Sequence, residues 1–87
     1  MPQISYFLGV IIRMFYRDHN PPHFHAVYGD YEALIDIQKN EMISGTLPPR
    51  VLGLVVEWAA LHQQELMENW ERSKKREELL KIEPLVK

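Results

Sequence analysis

Two different hydrophobic patterns divide this sequence into a first and a second half. Along the first half, short runs of β-forming residues alternate apolar with other side chains, as strands with one buried face do. Along the second half, apolar residues recur every three or four positions, which is the spacing of one face of an amphipathic helix. Strands followed by helix predict an α+β fold rather than a fold in which strands and helices alternate.

The length of 87 residues fits a single domain over 1–87, in which we predict a β-rich region at 1–45, a helical region at 46–80 and an extended tail at 81–87. The chain contains no cysteine, which excludes disulfides and cysteine-ligated zinc. Its apolar runs are too short to span a bilayer, and its first residues lack the pattern of a signal peptide. We therefore expect a cytoplasmic protein that does not enter a membrane.

The β-rich region contains three strong strand signals and two weaker ones. The strong runs are Val10–Arg17, His23–Tyr28 and Tyr31–Ile37, and the weaker ones are Ile4–Leu8 and Glu41–Ser44. Gly29-Asp30 is a tight-turn signal between two of the strong runs. Consecutive short strands joined by turns predict an antiparallel β-meander of three to five strands.

A wide apolar stripe that includes Val51, Val55 and Trp58 marks the helical region. We predict one long C-terminal amphipathic helix that runs from about Pro48 to the basic cluster at 72–76, whose cations suit the negative end of the helix dipole. This helix would pack across one face of the meander. The other face would stay open, so a homodimer or a partner protein is expected to cover it.

Three of the four histidines lie within seven residues, in the segment Asp18-His19-Asn20-Pro21-Pro22-His23-Phe24-His25, here called the histidine turn. His23 and His25, the strand histidines, are two residues apart in a predicted strand, so their side chains point to the same face. The two prolines would hold Asp18 and His19 in a fixed position beside them. An ordinary turn does not require three histidines, and a rigid turn suits a preorganised site.

Three kinds of chemistry can use the histidine turn. Two imidazoles on one face can chelate a divalent transition metal such as Zn²⁺, Ni²⁺, Cu²⁺ or Fe²⁺, with Asp18 or His19 completing the site. The strand histidines can also act as acid and base near neutral pH. Finally, Arg13 and Arg17 lie close enough in sequence to contribute positive charge for a phosphate group.

The opposing interpretation of the same residues is structural. His-X-His is common by chance, and Asp18 and Asn20 are ordinary turn residues whose side chains bond to nearby backbone. The two prolines can serve only to set the geometry between strands. The sequence leaves the functional and the structural interpretation open.

A second candidate group lies in the predicted helix. His62 is near the centre of the apolar stripe, and Glu65 and Asn69 follow at positions i+3 and i+7. These residues could bring a base and a carboxylate towards the sheet. We favour the alternative that the helix extends past the sheet and that its last turns are exposed.

Four segments together resemble a known family. They are Ile-Ile-Arg-Met-Phe at 11–15, the histidine turn at 18–25, Leu-Pro-Pro-Arg at 47–50 and Glu-Asn-Trp-Glu at 68–71. This combination is similar to the small bacterial proteins catalogued as domain of unknown function 4160. The resemblance covers nearly the whole chain and implies a gene paired with a second small one, as in toxin–antitoxin modules. It implies no activity or cofactor, so no catalytic residue is carried over from it.

Three functions follow as hypotheses. The leading one is a binding or regulatory module of a two-gene, toxin–antitoxin-like pair, which acts through the protein encoded by the neighbouring gene and through nucleic acid as a further partner. The second is a small ribonuclease in which the strand histidines transfer protons and Arg13 or Arg17 stabilises phosphate charge. The third is a metal-binding protein that uses the histidine turn. The net charge of −2 counts against the ribonuclease.

Overall fold

The computed structural model describes residues 2–86 as a five-stranded antiparallel sheet and two helices. The elements are β1 (Gln3–Phe7), β2 (Val10–Arg13), β3 (His23–Tyr28), β4 (Tyr31–Asp36), β5 (Glu41–Gly45), α1 (Pro49–Leu61) and α2 (Gln63–Lys74). The strands lie in the sheet in the order in which they occur in the sequence. The predicted α+β class and antiparallel meander are therefore confirmed, with five strands.

The hairpin of β3 and β4 sets the register around the histidine turn. Tyr28 pairs with Tyr31 across the predicted turn Gly29-Asp30, and Gly29 has a φ of 57°. Glycine adopts a positive φ at little cost, which is why two-residue hairpin turns favour it. With this register, His25 of β3 lies opposite Leu34 of β4.

The strand β2 is shorter than the predicted strand Val10–Arg17. Its ladder with β3 ends at the pair of Arg13 and His25. Arg17 has a φ of 56°, and its backbone N–H donates to the carbonyl oxygen of Ser73 in α2 at 3.3 Å. Packing against the second helix therefore outweighs the β-propensity of the residues that follow Arg13.

Two helices occupy the region where we predicted one long amphipathic helix. His62 separates them, with φ −125° and ψ 24°, and its backbone N–H donates to Ala59, three residues earlier rather than four. The imidazole of His62 packs on the Trp58 ring and its Nδ1 bonds to Glu65, so side-chain contacts accompany the break. Neither α1 nor α2 is both long and apolar enough to cross a membrane.

The helix α2 ends at Lys74, inside the basic cluster to which we predicted the helix to run and short of residue 80, the limit of the predicted helical region. A Schellman motif stops it there. Arg76 has a φ of 60°. Its backbone N–H donates to the Ser73 carbonyl at 3.3 Å, and that of Glu77 donates to the Arg72 carbonyl at 2.9 Å. These two hydrogen bonds satisfy carbonyl groups that the end of a helix leaves without a partner.

Residues 77–86 lie along the outer edge of β1 and contain neither helix nor strand. The backbone N–H of Ile82 donates to the carbonyl oxygen of Ile4 at 2.8 Å. Asn69 exchanges two hydrogen bonds with the backbone of Leu80, at 2.8 and 2.9 Å. The segment covers one edge of the sheet, and β5, whose five residues are all exposed, forms the other edge.

The hydrophobic core centres on Trp58 of α1, whose side chain is completely buried. Its ring centroid lies 5.2 Å from that of Phe7 and 5.8 Å from that of Phe24. The buried sheet residues on this side are Val10, Ile12, Phe24, Ala26, Ala33 and Ile35. On the opposite sheet face, Ile11 and Val27 are only half-buried.

We expect Gly45→Ala to lower the free energy of unfolding by about 2–3 kcal/mol. Gly45 ends β5 with a φ of 81°, and an added Cβ would clash with the carbonyl oxygen of Glu32. The variant would combine a disfavoured backbone conformation with a contact that forces two strands apart. Equilibrium unfolding in urea measures the difference from the wild type.

The matched control is Gly29→Ala. Gly29 also has a positive φ, 57°, but no atom lies within 4 Å of its added Cβ. We expect this variant to lose about 1 kcal/mol, which is the conformational cost alone. Equal losses in the two variants would refute the steric part of the argument.

Candidate metal centre

A loop between β2 and β3 places Asp18 beside the first residues of β3. The loop contains a cis peptide bond between Asn20 and Pro21. The carbonyl oxygen of Pro22 accepts a hydrogen bond from the backbone N–H of Ile37 at 3.0 Å, which ties the loop to the end of β4. Because two successive prolines also fix φ, the loop returns the Asp18 carboxylate to the strand in one orientation.

His23 is buried beneath this loop. Its side chain is 1% exposed and packs on the indole ring of Trp70 in α2. Its Nδ1 lies 2.7 Å from the carbonyl oxygen of Pro21, and its Nε2 lies 3.0 Å from Oδ2 of Asp18. Because a carbonyl oxygen can only accept, Nδ1 carries the hydrogen and Nε2 faces the carboxylate.

His25 repeats this arrangement two residues further along β3. Its side chain is 14% exposed, and its ring forms an edge contact with Phe15. Its Nδ1 lies 3.0 Å from Oε2 of Glu32, and its Nε2 lies 3.5 Å from Oδ2 of Asp18. Both ring nitrogens therefore face a carboxylate, and the contact with Glu32 is the shorter one. We place the hydrogen of the neutral ring on Nδ1 for this reason, which leaves Nε2 facing Asp18.

Asp18 lies between the two rings as a carboxylate. Burial raises the pKa of its carboxyl group, but several hydrogen bonds and one charge outweigh burial and hold the pKa below its ordinary value. The backbone N–H of His19 donates at 2.9 Å, and the rings of His25 and His23 add to this lowering of the pKa when a proton lies on their Nε2 atoms. The carboxylate is therefore ionised at neutral pH.

Asp18, His23 and His25 together form a group that we call the triad. One potential ligand atom from each residue lies within 4.8 Å of the others. His19, the fourth predicted ligand, lies outside this group, since its side chain is 82% exposed and its Nδ1 is 3.6 Å from the other carboxylate oxygen, Oδ1 of Asp18. The structure brings together three of the four residues that we predicted as metal ligands.

The two arginines that we predicted as phosphate contacts both lie near the triad. Arg13 pairs with His25 in the ladder between β2 and β3. Arg17 lines an open cleft of about 280 Å³ together with Asp18 and Lys74. Of the two, Arg17 is the one that shares a cleft with a member of the triad.

The second predicted group contacts other parts of the protein. His62 and Glu65 bond to each other across the helix break, with Nδ1 and Oε1 2.5 Å apart. Asn69 is buried, and its amide binds the backbone of Leu80. These side chains stabilise the helix break and the C-terminal segment rather than adding to the triad.

Sequence reasoning missed two residues that hold the strand histidines in place. Glu32 could have been found from the hairpin register, because His25 lies opposite Leu34 and Glu32 is its diagonal neighbour on the same face. Trp70, which packs on His23, gave no such signal. Its contact depends on where α2 crosses the end of the sheet, and the sequence does not specify this position.

Two nitrogen atoms and one carboxylate oxygen that point at each other attract a cation. When the hydrogen is on Nδ1, a neutral imidazole presents a lone pair from Nε2, and this lone pair repels the Asp18 carboxylate unless a proton or a metal ion lies between them. Hydrogen bonds from Nδ1 to a carbonyl or a carboxylate are also those that orient metal-binding histidines. The triad can therefore hold a proton or a divalent metal ion.

One known family matches the chain. The model described as Domain of unknown function (DUF4160) matches residues 9–71, which is more than half of the chain and includes the whole triad. No curated protein and no solved structure matches the chain. The comparisons therefore identify a family but do not assign an activity.

Proposed function

The chain belongs to the DUF4160 family, and we propose that it binds a divalent transition-metal ion through Asp18, His23 and His25. The observation that carries this proposal is the shared orientation of the two rings. Each ring donates from Nδ1 to an oxygen acceptor and turns Nε2 towards the same carboxylate oxygen, at 3.0 and 3.5 Å. A metal ion would satisfy both lone pairs and the carboxylate at once.

The spacing of these atoms supports the proposal. Zinc binds imidazole nitrogen and carboxylate oxygen at about 2.0–2.1 Å, so two ligands on a tetrahedral ion lie roughly 3.3 Å apart. The distances from Asp18 Oδ2 to Nε2 of His23 and His25 are 3.0 and 3.5 Å, on either side of this value. The ligands would therefore need only small movements to bind an ion.

The ligand set indicates the class of metal. Two imidazole nitrogens and one carboxylate oxygen suit Zn²⁺, Fe²⁺, Ni²⁺ or Cu²⁺, whereas Mg²⁺ and Ca²⁺ prefer sites made of oxygen atoms. Three protein ligands leave at least one coordination position for water or another molecule. Such an open position is typical of catalytic metal sites and not of structural ones, which are closed.

The burial of His23 favours a ligand over a proton-transfer residue. A general acid or base must reach the substrate directly or through one water molecule. His23 is only 1% exposed, and both of its ring nitrogens already contact oxygen atoms. The ribonuclease, the toxin–antitoxin-like role with its protein or nucleic-acid partner, the homodimer and the cytoplasmic location stay predictions.

The test is a metal titration of protein that carries no histidine tag and has been stripped with a chelator. We expect Zn²⁺ to bind at about one equivalent per chain, and Co²⁺ to give the visible absorption of a site with nitrogen and oxygen ligands. His25→Ala should weaken binding by more than the 10–100-fold that loss of an outer-shell partner costs. Isothermal titration calorimetry measures the affinity.

The control variant is His62→Ala. It removes the other histidine that bonds to a carboxylate, but it leaves Asp18, His23 and His25 unchanged. We expect its zinc affinity to equal that of the wild type. Binding that persists in His25→Ala, or that falls equally in both variants, would show that the ion binds elsewhere and would remove the basis of the proposal.

A further inference from the structure

A cleft that adjoins the triad is lined by cations. Tyr16, Arg17 and Arg76 line an open cleft of about 320 Å³. Arg17 also lines the second cleft of about 280 Å³, which includes Asp18 and Lys74. The two clefts share Arg17, whose neighbour in sequence, Asp18, is a member of the triad.

The backbone holds Arg17 and Arg76 side by side. The N–H groups of both residues donate to the same acceptor, the carbonyl oxygen of Ser73, each at 3.3 Å. Ser73 is completely buried, so this acceptor is fixed within the fold. Both arginines also have left-handed backbone conformations, with φ of 56° and 60°, which non-glycine residues adopt only where the surrounding structure imposes it.

The cations of the two clefts form no ion pair, although the Asp18 carboxylate lines the second cleft beside Arg17 and Lys74. Within residues 2–86, no carboxylate oxygen lies within 4.0 Å of a side-chain nitrogen of Arg17, Lys74 or Arg76. Arg72, two residues from Lys74, pairs with Glu77 at 3.7 Å. Guanidinium groups without a carboxylate partner are suited to bind phosphate, because their planar fork can donate two parallel hydrogen bonds.

We propose that Arg17 and Arg76 form a binding site for the phosphate group of a small nucleotide-like ligand. Tyr16 lines the same cleft and is 41% exposed, so it offers an aromatic face on which a base can stack. A net charge of −2 favours a single phosphate group over the backbone of a nucleic acid, whose binding requires many cations. The site goes beyond the metal centre and binds its ligand whether or not a metal ion is present.

The test measures phosphate binding in chelator-treated protein, so that the result does not depend on the metal. Inorganic phosphate and adenosine monophosphate are titrated at low ionic strength, and binding is followed by amide chemical shifts. The variant is Arg17→Gly/Arg76→Gly, because glycine is the residue that best tolerates a positive φ and preserves both turns. We expect it to weaken binding of both ligands at least tenfold.

The charge-matched control is Lys39→Gln/Arg50→Gln. It removes two cations from exposed positions that do not line either cleft. Affinity for adenosine monophosphate should stay within twofold of the wild type in the control, and should exceed that for inorganic phosphate if Tyr16 stacks on the base.

Three results would overturn the proposal. One is the absence of binding of either ligand to the wild type at millimolar concentration. Another is equal weakening in the control and in Arg17→Gly/Arg76→Gly, since this would show a general charge effect. The third is that a single-stranded RNA 12-mer binds far more tightly than adenosine monophosphate. This result would mean that the ligand of the cleft is a nucleic acid and not a small nucleotide.

Discussion

Saturating Zn²⁺ is expected to raise the melting temperature of this protein by about 10–20 °C. A ligand that binds only the folded state at 100 times its dissociation constant adds about 2.7 kcal/mol to the free energy of unfolding. In a domain of this size each 1 kcal/mol shifts the melting temperature by about 4–8 °C. The ligands come from a loop and a strand, Asp18 on one side and His23 and His25 on the other, so unfolding must separate them.

The variant Asp18→Asn tests this prediction when its zinc-induced shift in melting temperature is compared with that of the wild type. The amide has nearly the same shape as the carboxylate but lacks its negative charge, so it is a poor metal ligand beside two imidazoles. We expect the melting temperature of this variant to respond to Zn²⁺ by less than half of the wild-type shift. Differential scanning calorimetry with and without excess chelator measures both shifts. A full shift in Asp18→Asn would mean that zinc stabilises the fold at another position.

The sheet could be predicted from the sequence because its connections are local. Gly29-Asp30 lies between two runs of alternating residues, and this turn alone fixes which residues of β3 and β4 lie opposite each other. Each of the other connections also joins neighbouring strands, and the longest of them is the loop over residues 14–22. The result is a meander in which every strand pairs with the next.

The end of β2 could not be predicted because a contact distant in sequence determines it. Residues 14–17 have the composition of a strand, yet the backbone of Arg17 bonds to Ser73, more than fifty positions later. The break at His62 also lacks a proline or glycine signal. Local propensity describes these segments correctly, but tertiary packing overrides it.

The candidate site could likewise be predicted in part. That His23 and His25 share a face follows from their spacing alone, and the proline turn indicated that Asp18 lies beside them. Which nitrogen of each ring faces Asp18 depends on the carbonyl of Pro21 and on Glu32, and only the structure gives these positions. The sequence therefore predicts four candidate ligands. The structure brings three of them together and adds which ring nitrogens face the carboxylate.

The largest loss of stability is expected for Trp58→Ala, about 3–5 kcal/mol. Trp58 is fully buried against Phe7 and Phe24, and its Nε1 donates to the carbonyl of Glu83 at 2.8 Å. The substitution would leave a cavity and also free the C-terminal segment from α1. Hydrogen exchange of the Ile82 amide, which bonds to Ile4, should therefore increase more than exchange within β3.

Two further variants separate the packing of Trp58 from its hydrogen bond. Trp58→Phe keeps an aromatic ring but has no N–H, so we expect an intermediate loss and an Ile82 amide that still exchanges faster than in the wild type. Leu61→Ala lies in the same helix at 68% exposure and should change stability by less than about 0.5 kcal/mol. If Trp58→Ala cost no more than Leu61→Ala, the hydrophobic core could not be centred on Trp58.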